Sequence, residues 1–218
     1  GLDLSEARSV PGVLAIITQA DLDEDGIGPL RARASVSSID GQPMIEPERS
    51  VLARGEVKYV GHPIAFVVAE TPEAALDGAD AIDARFEELA VVTGTDAARA
   101  DGAPTIWPDA PDNTSFQWQL GNGDSVETAI NTAPHVVRLT VKHPRLVIAP
   151  VEPRGAIGEF DPETGRFTLT TPSQGTVGLR AAMAEALGRE ESLVRVLTHD
   201  VGGSFAVKIW PYPEQLLC

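Results

Sequence analysis

The sequence predicts an α+β protein made of two modest units, on two patterns and one magnitude. Residues 57–60 and the apolar run 64–69 read as strands on either side of the turn Gly61-His62-Pro63, followed by a helical stretch and an alternating run at 82–88. That is the order strand, strand, helix, strand of a small α+β unit. Between residues 166 and 201 a strand, a helix and another strand recur. With 218 residues, 43% of them hydrophobic, the chain can bury one good core or two modest ones.

Taken in order, Ser5-Glu6-Ala7 opens a short helix or turn ahead of Pro11-Gly12, and the β-branched run at 13–18 predicts a buried strand. Asp21, Asp23, Asp25 and Gly26 fall at the first, third, fifth and sixth positions of an EF-hand calcium loop. The twelfth position, which requires a bidentate glutamate, is Ala32, and Pro29 lies inside the loop, so a solvated acidic turn is expected instead. Residues 28–50 are polar and carry Pro29, Pro43 and Pro47, which predicts an extended surface loop. Thr71 as N-cap, Pro72 at the first helical position and Glu73 in the first turn predict a helix over 71–81.

From 91 to 113 the chain turns to Ala, Asp, Gly, Pro and Thr without periodicity, as a linker or wrapping segment does. Gly121-Asn122-Gly123-Asp124 reads as a turn, followed by a helix at 125–132 and strands at 135–142, 150–160 and 166–171. Asp161-Pro162-Glu163-Thr164-Gly165 joins the last two as a turn. A helix over 179–188 and a strand over 193–201 come next, and Pro213 opens a last helical turn. The absence of an initial methionine and this unfinished helix lead us to expect a piece of a longer polypeptide.

The formal net charge is −15, from 17 Lys and Arg against 32 Asp and Glu. Such a surface repels phosphate backbones and acidic membranes, so nucleic acid is not an expected partner. One cysteine, Cys218, leaves no intrachain disulfide and no cysteine-ligated zinc or iron–sulfur site within the chain, and a cytoplasmic setting is expected. No apolar run is long enough for a membrane span. His143 and His199 have no partner at metal-ligand spacing, so no metal-ligating residue is expected here.

Chemistry-bearing residues gather toward the C-terminus. Gly202-Gly203 after a strand permits dihedrals closed to other residues and a close approach to the backbone, although on the tetrad Gly202-Gly203-Ser204-Phe205 alone a plain tight turn is the simpler reading. The run through Ala206 comes near the nucleophile elbow of serine hydrolases. That elbow needs a following helix and a later histidine, whereas Pro211 and Pro213 prevent a long helix and His62, His135, His143 and His199 all precede Ser204. A second motif lies upstream, where 168–174 end in Thr171-Pro172-Ser173-Gln174 before the helical stretch. Glu152 and Arg154 flank Pro153; on residues alone they form a structural ion pair or decorate a strand edge.

Together these residues resemble the large subunit of the molybdenum hydroxylases, the family of xanthine dehydrogenase, aldehyde oxidase and aerobic carbon monoxide dehydrogenase. Residues 202–208, GGSFAVK, are similar to the family's Gly-Gly-Gly-Phe-Gly-x-Lys loop beside the molybdenum cofactor, and Gln174 to the upstream glutamine that bonds an oxo ligand of the metal. The run VKYVGHPIAFVVAETPEAA resembles the α/β hammerhead domain. The resemblance implies a hammerhead domain over 1–100, a linker over 101–113 and the first part of the molybdopterin-binding domain over 114–218.

It further implies a molybdenum–pterin cofactor served here by Gln174, Gly202, Gly203, Ser204, Phe205 and Ala206, with FAD and 2Fe-2S clusters on partner subunits or domains. Glu152 and Arg154 resemble a Glu-Pro-Arg-Gly run in the layer behind the loop. The implied reaction places water-derived oxygen on an aldehyde or heterocycle, or oxidises carbon monoxide, in a dimer of heterotrimers. No catalytic residue is expected within this stretch, because the family's glutamate base lies further toward the C-terminus. Three departures stand out: Ser204 replaces a glycine, Ala206 replaces another, and Ile209 replaces the glutamate of the purine-oxidising members. The alternative is a non-catalytic α+β scaffold or interaction module in which the glycine loop merely turns the chain.

Overall fold

A computed structural model describes residues 1–31 and 34–218; Ala32, the failed EF-hand position, lies outside the described residues. The elements in order are β1 (Leu2–Asp3), a 3₁₀ turn (Ala7–Ser9), β2 (Val13–Ile17), α1 (Gln19–Glu24), β3 (Phe66–Ala69), α2 (Pro72–Asp80), β4 (Asp83–Ala84) and α3 (Thr95–Ala98). Then come α4 (Gly123–Thr132), β5 (Ile157–Asp161), β6 (Arg166–Thr170), α5 (Thr176–Ala186), a 3₁₀ turn (Glu191–Leu193), β7 (Val194–Leu197) and α6 (Pro213–Leu217). The α+β class holds.

The strands form three separate sheets among the described residues: β1 with β4, β2 with β3, and β5-β6-β7. The first two pairs are antiparallel. In the third, β5 and β6 form an antiparallel hairpin while β6 and β7 run parallel, joined by α5 as a crossover helix. Leu179 and Met183 of α5 pack on Leu169 of β6 and Val194 of β7.

The N-terminal unit is built on close helix-to-sheet contact. Thr71 Oγ1 accepts the Ala74 N–H at 3.1 Å, starting α2 where the sequence places it. A methyl group added at Gly78 of α2 would lie 2.7 Å from Val13 Cγ2 and 3.1 Å from Val67 Cγ1, so only glycine lets this helix rest on β2 and β3.

Several expected elements are shorter or absent. Residues 21–26 are no open acidic turn. Most of them belong to α1, with Asp21 completing a capping box by accepting from Thr18 N and Oγ1, both at 2.6 Å. Residues 57–60 form no strand: the Lys58 N–H donates to His62 Nδ1 at 3.2 Å, and the His62 N–H to the Tyr59 carbonyl at 3.1 Å, which curls the segment into a loop. Tyr59 stacks on the buried His62 ring at 4.4 Å. The expected strand at 64–69 is reduced to β3, and the one at 82–88 to β4.

Residues 135–142 carry the period-2 pattern of a strand but lie exposed and unpaired. Among the described residues no strand stands beside them, and a ladder needs a partner. The stretch 150–160 is a strand only within β5, and 193–201 only within β7.

The described residues of the segment 28–50 lack regular structure apart from the bridge between Ser37 and Pro43. It is nevertheless more than surface. Leu30 is buried with Leu22, Val51 and Leu52, and Leu216 and Leu217 of α6 pack against that cluster. The Gly28 N–H bonds the Ala186 carbonyl at 2.7 Å, and an Arg49 guanidinium N–H bonds the Pro211 carbonyl at 2.7 Å. Leu216 also packs against the α5–β6–β7 cluster, so one side chain belongs to both apolar clusters.

Candidate functional site

In parallel sheets ligands bind in the crevice beyond the carboxyl ends of the strands. Both sequence motifs lie there, Gln174 just after β6 and the 202–206 loop just after β7.

The strand exits are tied together by polar bonds. The Thr171 N–H donates to the Leu197 carbonyl at 3.0 Å, Thr171 Oγ1 to the Gly155 carbonyl at 2.7 Å, and Thr198 Oγ1 to the Thr171 carbonyl at 2.7 Å. From α6, Gln215 Nε2 donates to Thr171 Oγ1 at 3.2 Å while its Oε1 accepts the Tyr212 N–H at 3.0 Å. Pro172 then holds the chain extended, and Ser173 Oγ accepts the Gly175 N–H at 3.1 Å, turning it into α5. Gln174 is left exposed at the bend.

Its oxygen Oε1 accepts the Lys208 N–H in a long contact of 3.4 Å, and its own N–H donates to the Lys208 carbonyl at 3.0 Å. Gln174 and the end of the glycine loop are therefore neighbours through the backbone of Lys208. The carboxamide nitrogen of Gln174 has no partner among the described residues.

Within the loop, Gly203, Phe205 and Ala206 have φ of +93°, +47° and +70°. Glycine suits the first, whereas left-handed backbone is strained for the other two. Phe205 is 73% exposed and stands out from the loop. The N–H groups of Gly203, Ser204, Phe205 and Ala206 have no partner among the described residues. Successive free N–H groups on a left-handed turn are the ingredients of an anion- or oxo-binding concavity. Gly202 is different: its N–H donates to Glu152 Oε2 at 2.8 Å, and a Cβ on it would lie 2.6 Å from Glu152 Cβ. The close approach there is made by Glu152.

Glu152 and Arg154 are not paired with each other. Glu152 Oε2 accepts from Lys208 Nζ at 2.7 Å, and Arg154 Nε donates to Glu214 Oε1 at 2.7 Å with its guanidinium over the Tyr212 ring at 3.8 Å. The Lys208 ammonium, then the Gly202 N–H, hold the Glu152 carboxyl below the ordinary carboxylate range. Lys208 stood inside the quoted motif, yet its role and those of Thr171 and Gln215 escaped sequence reasoning. Their partners lie far off along the chain, Glu152 being 56 residues from Lys208 and Thr171 44 from Gln215.

The donor set, one carboxamide NH₂ and a run of backbone N–H groups, fits a group rich in oxo and phosphate oxygens, as a molybdenum–pterin cofactor is. Among the described residues no group of three or more His, Cys, Asp or Glu side chains is gathered around a metal site. This part of the chain would therefore hold such a cofactor by hydrogen bonds to its oxygens.

Comparison with known proteins agrees. Residues 106–218 match the molybdopterin cofactor-binding domain and residues 1–90 the α/β hammerhead domain of aldehyde oxidase and xanthine dehydrogenase. The nicotine 6-hydroxylase large subunit of Paenarthrobacter nicotinovorans is 31% identical over 217 residues, covering 100% of this chain and 26% of that protein. The carbon monoxide dehydrogenase large chain of Hydrogenophaga pseudoflava is 28% identical over 95% of this chain and 26% of its own length. The quinoline 2-oxidoreductase structure from Pseudomonas putida 86 superposes with a TM-score of 0.80 at 28% identity, over 100% of this chain and 27% of that one. This chain thus spans about a quarter of the length of these relatives. With its cofactor-binding and hammerhead regions both matched, the chain belongs to the molybdenum hydroxylase large-subunit family.

Proposed function

We propose that the full-length protein is the catalytic large subunit of a molybdenum-dependent oxidoreductase that hydroxylates an aldehyde or a heterocycle, or oxidises carbon monoxide. The observation that carries this reading is the convergence, through Lys208, of the unengaged Gln174 carboxamide nitrogen and the unbonded N–H groups of 203–206 beyond the ends of β6 and β7. The cofactor, when bound, supplies the two-electron oxidation by which oxygen from water reaches the substrate carbon. The work of this chain is to hold and orient. Gln174 Nε2 would donate to an oxygen of the group, the N–H groups of 203–206 could hold further oxygens, and the exposed Phe205 ring would offer an apolar surface. Gly202, buttressed by Glu152, fixes where the loop begins.

Ile209, where purine-oxidising members carry glutamate, argues for a substrate without purine's polar edge. Two of the relatives are named for nitrogen heterocycles, a nicotine hydroxylase and a quinoline oxidoreductase, and a third for carbon monoxide. Electrons would leave to 2Fe-2S clusters and FAD on partner subunits, in a dimer of heterotrimers, and the single cysteine accords with a cytoplasmic setting. Within the chain we assign 1–100 to the hammerhead domain, 101–113 to a linker and 114–218 to the start of the cofactor domain.

The test is to purify the full-length protein from molybdenum-replete cells, assay molybdenum and pterin, and supply quinoline- and nicotine-type heterocycles, aldehydes, purines and carbon monoxide in ¹⁸O-labelled water with an artificial electron acceptor. Stoichiometric molybdenum and label in a hydroxylated heterocycle, a carboxylate or carbon dioxide are expected. A metal-free, pterin-free protein would overturn the reading and leave the scaffold alternative.

A further inference from the structure

Lys208 is the largest side chain fully buried among the described residues, at 1% exposure, and it is charged. Its ammonium donates to the Glu152 backbone carbonyl at 2.9 Å and to Glu152 Oε2 at 2.7 Å. Glu152 in turn grips Gly202 twice: its N–H donates to the Gly202 carbonyl at 3.1 Å, and its Oε2 accepts the Gly202 N–H at 2.8 Å. At its other end Lys208 is bonded through its backbone N–H and C=O to Gln174. The links run Gln174, Lys208, Glu152, Gly202, and so connect the exit of β6 to the two ends of the loop after β7 without using a sheet or helix bond.

Burying a lysine is costly, and an apolar side chain of similar volume generally serves packing as well or better. What this pair adds is a fixed position. The side chain of Glu152 lies against the backbone of Gly202, where any Cβ would collide with it. Its carboxylate therefore dictates the height of the loop's first residue, while Lys208 anchors the chain two residues beyond its last. We propose that Lys208 and Glu152 are positioning residues that hold the 202–206 loop and Gln174 in register with one another, so that their free donors address one cofactor together. This rests on the reading of the site as a cofactor pocket.

The experiment uses full-length protein carrying K208M, E152Q and the double substitution, and measures four quantities. These are melting temperature, molybdenum and pterin per chain, turnover per bound molybdenum, and amide hydrogen exchange over 172–176 and 202–208. E152Q strands the buried ammonium and lowers the melting temperature most. The double variant removes both charges, so its melting temperature returns toward wild type. Its exchange stays faster in both segments at once, and its turnover per molybdenum stays about 10- to 100-fold down. A double variant with wild-type exchange and turnover per molybdenum would overturn the proposal and leave the pair as packing alone. Should that variant not fold, E152D decides. It keeps the charge but is one methylene too short to hold Gly202 and Lys208 together, so unchanged exchange and turnover per molybdenum in it are equally fatal. Wild-type protein without molybdenum would instead defeat the reading of the pocket, and the exchange measurement would still judge the register.

Discussion

At Gln174 the unengaged end of the carboxamide is its nitrogen, because the oxygen faces the Lys208 N–H. Replacing Gln174 with Ala in the full-length protein is expected to lower turnover by a factor of about 10 to 100 with molybdenum loading retained; kinetics beside metal analysis check this, and full turnover at full loading rules the role out. Glu152 makes a second prediction, on pH. Its carboxyl is lowered in the folded state from an ordinary value of 4.5 by Lys208 and the Gly202 N–H. The stability it contributes is present above 4.5 and is lost as the pH falls through the lower folded value. Acid-induced melting curves should therefore fall more steeply below pH 4.5 for wild type than for E152Q. The two residues also differ in how far sequence alone exposes them. Gln174 sits in a recognisable order of strand, proline, glutamine and helix. The task of Glu152 depends on Lys208, a neighbour only after folding, so beside Arg154 it suggested the wrong pairing.

Helix α2 shows the element scale at its most legible, since a threonine cap, a proline at the first position and an early glutamate each carry a local mechanism. Its packing was not legible, because Gly78 reads as a weak helix residue until Val13 and Val67 appear against it. Gly78→Ala would favour an isolated helix by about 0.5–1 kcal/mol. Here the added methyl overpacks the sheet contact at a cost of about 1–3 kcal/mol, so the expected outcome is a lower melting temperature, checked by calorimetry. The strands were the weak point. Alternation at 135–142 reports a capacity for pairing, and no partner strand stands beside that run among the described residues. Residues 57–60 were misread for another reason: a single ring nitrogen on His62 diverts the N–H of Lys58 from any ladder.

Across the whole molecule, the strands of the two halves lie in separate sheets among the described residues, and the seam between the halves has no sequence signal. It is formed by Leu30, Val51 and Leu52 from a stretch that looked like surface and by Leu216 and Leu217 of the last helix. Leu216→Ala is expected to cost about 2 kcal/mol, and to lower the melting of both halves together, because the side chain packs on both clusters. Hydrogen exchange resolved by segment would show it, and loss confined to one half would refute the coupling. Helix α6 also carries Gln215 to Thr171, at the strand exits beneath the candidate site. In order of synthesis, then, the half made first stays unfinished along one side until α6, made later, folds back onto it. That same step brings Gln215 to Thr171, three residues before Gln174, so the cofactor donors wait on the docking of α6.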